Sequence, residues 1–202
     1  MAAFAGCTAN VGCEAFDPTV GRAGEWRQFA QIDVTSGMIL VEDLSFIPKA
    51  EDALILELPS GTYVVEHKPV AFGCDVRTGR LRATLNGSGG LFGRELGSTW
   101  TDTAMTAVTD YVSAEAALQR AGKASFYERI EAAASRSITG RGETVMLDDV
   151  IGPMVAFVSS GFGDGAYPVY ELTSNGNRVG IEIEFIKAGE QYPFTPGRYR
   201  TP

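Results

Sequence analysis

The chain has 202 residues, 45% hydrophobic and 21% charged, and 17 basic against 25 acidic side chains leave a formal net charge of −8. That length suits a single domain with extensions, and so apolar a chain can build a core without disulfide or metal staples. The acidic balance, with no basic run anywhere, argues against nucleic acid or an anionic membrane surface as partner.

The three cysteines, Cys7, Cys13 and Cys74, are too few and too irregularly spaced for a disulfide framework, which points to a reduced, cytoplasmic setting. A single histidine, His67, argues against a conventional zinc site, so neither metal nor cofactor is expected. No apolar stretch reaches the roughly 18 residues of a membrane span. The N-terminus lacks the basic and apolar regions of a signal peptide, although Phe4-Ala5-Gly6-Cys7 looks like the end of a lipoprotein cleavage box.

Residues 1–30 are rich in Gly and Ala without a sustained period and read as an N-terminal extension pinned by Trp26. From Ile32 short apolar runs alternate with turn signals, the mark of a β-rich domain over residues 31–187. Met38–Val41 and Ala53–Leu58 are strands. Pro59-Ser60-Gly61 is a turn, and Thr62–Val65 is the strand that returns from it. Val70–Phe72 and Leu81–Leu85 follow, with a turn at Thr78-Gly79. Asn86–Gly97 carries five glycines and reads as a mobile surface loop.

Ser113–Arg136 is helical and divided at Gly122. Ser113 is the expected cap of the first helix, and Ser125 with Glu128 forms a capping box for the second. Further on, Met154–Val158, Tyr167–Leu172 and Val179–Ile186 read as a three-strand meander, its last turn set by Asn175-Gly176. Residues 188–202 hold three prolines among aromatics and read as a C-terminal arm. The fold class is mainly β: two packed, or one strongly bent, antiparallel sheets with a short helical pair at one edge.

Ser159–Tyr170, "SSGFGDGAYPVY", is the most distinctive stretch. Its glycines permit tight turning and exposed N–H groups, but no helix N-terminus or lysine follows to complete a phosphate loop. No nucleophile elbow surrounds Ser159 or Ser160, and one carboxylate, Asp164, is far short of a calcium site. His67, in Glu66-His67-Lys68, reads as an exposed strand end rather than a general base. The carboxylate pairs Glu42-Asp43, Glu51-Asp52 and Asp148-Asp149 read as solvated loop charges. Asp110 stands where it can help start the first helix.

Val155–Ile186, with its Ser-Gly-x-Gly-Asp-Gly-x-Tyr-Pro run between strands, resembles the C-terminal signature of an uncharacterised, mainly bacterial family known as domain of unknown function 4241. "SGMILVEDLSF" from Ser36, "LPSGTYVVE" from Leu58 and "TDTAMTAVTDYVSAEAAL" from Thr101 resemble its earlier segments in the same order. Where the family's middle stretch reads closer to Asp-Ala-Gly-Thr, this chain has Thr103-Ala104-Met105-Thr106. The resemblance implies a single β-rich domain over about residues 32–187, and brings no established activity and no catalytic residues.

The expected function is therefore a non-enzymatic binding or interaction protein, either immunity-like or a subunit of a larger assembly. Its partner is a protein or a second copy of the chain. The expected contact residues are Ser160, Phe162, Asp164, Tyr167 and Tyr170 in and after the glycine-rich loop, and Tyr192, Phe194 and Tyr199 in the arm. The alternative is a hydrolase or small-ligand-binding enzyme that uses the Ser159–Tyr167 loop with Asp102, Asp110 or His67.

Overall fold

The structure, a computed structural model, describes residues 20–48, 53–73, 75–150, 152 and 154–189. Its first strands are β1 (Arg22–Ala23), β2 (Arg27–Val34), β3 (Met38–Asp43), β4 (Leu54–Glu57), β5 (Gly61–Phe72), β6 (Asp75–Leu85), β7 (Leu91–Thr101) and β8 (Met105–Asp110). Two helices follow, α1 (Tyr111–Ala121) and α2 (Lys123–Ala134). The chain then returns through β9 (Gly142–Met146), β10 (Met154–Ser159), β11 (Gly165–Ser174) and β12 (Asn177–Glu184).

These strands build two antiparallel sheets, as the mainly β pattern predicts. The larger has the order β1-β5-β6-β12-β11-β7, with β2 beside β1 on the outer edge of β5. The smaller has the order β4-β3-β8-β10-β9. The sheets pack face to face around Ile32, Val34, Tyr63, Val65, Leu81, Ile181 and Ile183 from one side and Ile39, Val41, Val108, Ala156 and Val158 from the other. The helical pair expected at one edge covers the outer face of the smaller sheet, where Leu40, Ala107, Val155 and Phe157 meet Ala114, Ala117, Phe126 and Ile130. This is why Met38–Val41 of β3 and Met154–Val158 of β10 are unbroken apolar runs: both of their faces are buried. No helix among the described residues is long and apolar enough to cross a membrane.

Several turns join sheets rather than neighbouring strands. β4 pairs with β3, so Leu58–Ser60 carries the chain into the other sheet and β5 is not its returning strand. Likewise β10 pairs with β8 and β9, so Ser160–Asp164 is a crossing, and only β11–β12 remains of the expected meander. That hairpin has Asn175 at φ 52° and Gly176 at φ 79°, the left-handed pair that a two-residue turn of this hand requires. Thr78-Gly79 lies inside β6, because the β5–β6 reversal comes after Phe72. Asn86–Gly97 is mostly strand: only residues 86–90 are loop, and the later glycines sit in β7. Gly93 is there because a Cβ would press on Glu171 of the neighbouring strand.

At the N-terminal side the sheet already includes Arg22–Ala23 and Arg27–Ala30, so the expected boundary at residue 31 falls inside β2. Trp26 lies in the break between β1 and β2 with the Arg82 guanidinium 4.1 Å over its ring. Both expected helix caps move. Asp110, not Ser113, caps α1, accepting a 2.8 Å hydrogen bond from the Ser113 N–H. Gly122 stands at the cap of α2 without a side-chain bond, and Ser125 lies one turn inside the helix.

Gly180 shows how closely the larger sheet is assembled. A Cβ there would run into the Ala83 carbonyl of the paired strand, a backbone atom that cannot move aside. Gly180→Ala is expected to destabilise the domain by about 2–3 kcal/mol, as overpacking against a rigid neighbour does, read as a lowered urea midpoint with an unchanged slope.

Candidate functional site

The chain passes between the two sheets at four places: residues 35–37, 58–60, 102–104 and 160–164. The first two meet at one end of the sandwich, where the Leu58 N–H donates to the Gly37 carbonyl at 2.9 Å and the Tyr63 hydroxyl donates to the Pro59 carbonyl at 2.7 Å. Asp110 fastens this end. It accepts from the Ser36 N–H at 2.9 Å and the Ser36 hydroxyl at 2.8 Å as well as from Ser113. Burial pushes its carboxyl up, but the Ser36 and Ser113 hydrogen bonds outweigh that and hold it below the ordinary carboxylate range.

At the other end Asp43 does the same work. Its carboxylate accepts from the N–H groups of Asp102 and Thr103 at 2.8 and 2.7 Å, from the Thr103 hydroxyl at 2.7 Å, and from the Ser45 N–H. Glu42 and Asp43 are thus buried at the end of β3 rather than solvated in a loop, and for Asp43 these hydrogen bonds replace water. Asp148 is also buried and accepts from the Val150 N–H, whereas Asp149 is exposed and pairs with Arg129 at 2.7 Å. Glu51 and Asp52 lie outside the described residues.

The glycine-rich loop sits beside the Asp43 end. The Ser160 N–H donates to the Ala104 carbonyl at 2.8 Å. The Ser160 hydroxyl donates to the Gly163 carbonyl at 2.8 Å and lies 3.3 Å from the Thr101 hydroxyl. The Tyr167 hydroxyl donates to Gly163 at 2.7 Å and to Ser160 at 3.2 Å. Burial pushes that hydroxyl's pKa up. Ser160 and Tyr167 therefore hold the loop's own carbonyls, and Gly161 (φ 50°) and Gly163 (φ 122°) give it the hand it needs. Asp164 is exposed. Phe162 leans outward over Phe72, with ring centroids 5.3 Å apart, and the Arg77 guanidinium lies 5.8 Å from its ring.

His67 does not join this loop. It lies inside β5, buried rather than exposed, because the strand runs five residues past it and turns it toward the core. Its sheet row runs His67, Leu81, Ile183, Val169, which sets it three strands, about 14 Å, across from β11. The loop is farther still along the strands. Tyr192, Phe194 and Tyr199 lie outside the described residues. No group of metal-ligating side chains is present among the described residues.

Tyr170 is the expected contact residue that meets a surface of a different kind. Tyr167 and Val169 point inward, so Ala166, Pro168 and Tyr170 face out. In β7, Thr99 and Thr101 are buried and Trp100 is 63% exposed. Leu91 and Phe92 at the start of that strand are 76% and 50% exposed, and the Phe92 ring lies 4.3 Å from Tyr170. Sequence reasoning missed Leu91 and Phe92 because Asn86–Gly97 read as a loop, and Trp100 just after it was assigned to no element. The available signal was Ser98-Thr99-Trp100-Thr101, a β-favouring run next to the apolar pair Leu91-Phe92.

Comparison of the chain with family models, curated proteins and solved structures finds no match.

Asp110→Asn keeps the shape but weakens three charge-assisted hydrogen bonds, two from Ser36 at the first crossing and one from Ser113 at the start of α1. A loss of about 2 kcal/mol is expected at neutral pH. Because the carboxyl's folded pKa is lowered, its contribution is present above the unfolded pKa and disappears as pH falls through the folded one. The variant should therefore differ from the parent in urea melts at pH 7 and converge with it at the acid end.

Proposed function

We propose that the chain is a non-enzymatic interaction protein that associates with a second copy of itself across the β7 edge of the larger sheet. The observation that carries this is a free edge strand bearing a side-by-side apolar surface. Among the described residues β7 pairs on one side only, with β11. Its outward face joins Phe92, Ser98 and Trp100 to Ala166, Pro168 and Tyr170, an uncharged patch bordered by Glu95, which stands opposite Tyr170, and by the Arg80 guanidinium 5.8 Å from the Phe92 ring.

Charge selects the second copy as occupant. A molecule of net charge −8 repels its own kind over most of its surface, so contact is confined to places without charge. Leu96–Thr101 is such a place, a run without a charged residue between Glu95 and Asp102. The strand irregularities beside Tyr170 and Leu172 also lie on the Arg94 side, leaving Gly97–Thr101 regular and able to add an antiparallel partner. Trp100, large, amphipathic and exposed, is the anchor such a contact uses.

The expected cytoplasmic setting is kept in this reading. The Ser-Gly-x-Gly-Asp-Gly-x-Tyr-Pro run supports placing the chain beside the family it resembles, with the loop a structural crossing rather than a reaction centre.

Light scattering on the purified chain should give twice the 21.5 kDa of one copy at high protein concentration, falling toward one copy on dilution. Trp100→Glu should give a single copy throughout with an unchanged circular dichroism spectrum, since it places a charge in the contact without touching the core. A parent chain that stays single at every concentration would sink the proposal.

A further inference from the structure

β5 carries the chain's single histidine where the two sheets face each other. His67 is 4% exposed, and its Nδ1 is buried with no hydrogen-bond partner among the described residues. Its neighbour is Phe29, whose ring meets the imidazole edge to face with centroids 5.7 Å apart. Phe29 is the extra residue where the β2–β5 register shifts between Gln28 and Ala30. On its far side the ring rests on Gly142 of β9, where a Cβ would collide with it. The imidazole, the Phe29 ring and Gly142 thus form one stack that ties the edge strand β2 to both sheets.

Among the described residues, no carboxylate is placed against this stack to accept a positive charge. Arg27 of β2 stands opposite His67 in register and is itself cationic. The β6 partner is Leu81. On β9, Gly142 and Thr144 lie on the sandwich side, while Glu143 shares the alternate side with Val145, which packs toward the helices. Arg141 is exposed. β10 presents Ala156 and Val158. Glu66 and Lys68 on β5, and Arg80 and Arg82 on β6, lie on the outer face of the larger sheet. There Arg82 binds Glu66 at 2.7 Å. Tyr63 shares the inward side of β5 but donates its hydroxyl to Pro59, and Asp110 of β8 is occupied by Ser36 and Ser113.

We propose that His67 is a pH-sensitive latch on β2: protonating the imidazole in mildly acidic solution frees this edge strand from the sandwich while the smaller sheet and its helices stay folded. β2 is hydrogen-bonded to one neighbour strand only and is bordered by an open groove of about 760 Å³, lined in part by Gln28, Phe29, Gln31 and Asp33, and the core contacts of Ala30, Ile32 and Val34 are what its release gives up. Burial first, and Arg27 second, lowers the imidazole's pKa from its ordinary value. A lowered folded pKa means the unfolded or released strand binds the proton more tightly. The latch is therefore fully closed above the ordinary value of about 6.5 and opens as pH falls from there through the folded value.

The single imidazole gives one clean proton resonance, so its titration is measurable by NMR on the unmodified chain, with amide-exchange protection followed over the same pH range. The expected result is a midpoint below 6.5 together with an about tenfold or greater loss of protection confined to residues 27–34. Residues 105–110 and 154–159 should keep their protection. His67→Gln, neutral at every pH, should hold β2 protection level across the range. An imidazole that titrates at its ordinary value, β2 amides indifferent to its titration, or a domain that opens as a whole would each overturn the proposal, whether or not the Gln variant folds.

Discussion

Two buried carboxylates at opposite ends of one strand pair hold this structure in register. β3 and β8 lie side by side, Ile39 opposite Asp110 and Asp43 opposite Thr106, so Asp110 and Asp43 mark the two ends of the pair. Each end is where the chain changes sheets, and each crossing exposes backbone N–H groups that no strand partner can satisfy. A carboxylate has the capacity to accept several of them at once. Asp110 takes those of Ser36 and Ser113, and Asp43 takes those of Ser45, Asp102 and Thr103. The separation of the chain into two sheets depends on these bonds, because crossings left unsatisfied at the rim of a core would each cost about 1–3 kcal/mol.

The glycine-rich loop belongs to the same design. It is the fourth crossing, docked on the third through Ser160 and Ala104, and its hydroxyls serve its own carbonyls. A stretch with serine, aspartate, tyrosine and three glycines has the composition of a reaction centre and the geometry of a corner. The outer face of the larger sheet is organised by charge instead. Arg80 bridges Glu182 and Glu184, and burial holds the Glu182 carboxyl above its usual range despite the arginine. The Arg80 guanidinium also reaches within 5.8 Å of the Phe92 ring, where the surface of Phe92, Trp100 and Tyr170 begins.

The fold class was legible because its signals are local. Asn175-Gly176 demands a tight hairpin, and the alternation of Val179, Ile181, Ile183 and Phe185 demands one buried face, whatever else the chain does. The two helices were equally readable around Gly122. The candidate surface was only partly legible. Tyr170 stood out, but Leu91 and Phe92 were hidden among glycines whose role is close approach to Glu171 and other neighbours, a relation between strands far apart in sequence, and Trp100 lay just past them. His67 misled for a related reason: its strand continues through Pro69 by a register shift, so a residue that looks terminal is central.

The sequence by itself determined that the chain is mainly β, where the helical pair and the Asn175-Gly176 hairpin lie, and that its acidic balance leaves few uncharged places for contact. The tertiary structure decided which strands are neighbours, which turns are hairpins and which are crossings, and which carboxylates are buried. The division has one physical reason. Strand character follows from side chains a few residues apart, whereas pairing and burial follow from contacts between residues often a hundred positions apart, such as Arg80 and Glu182. Only the closed sandwich brings those contacts into being.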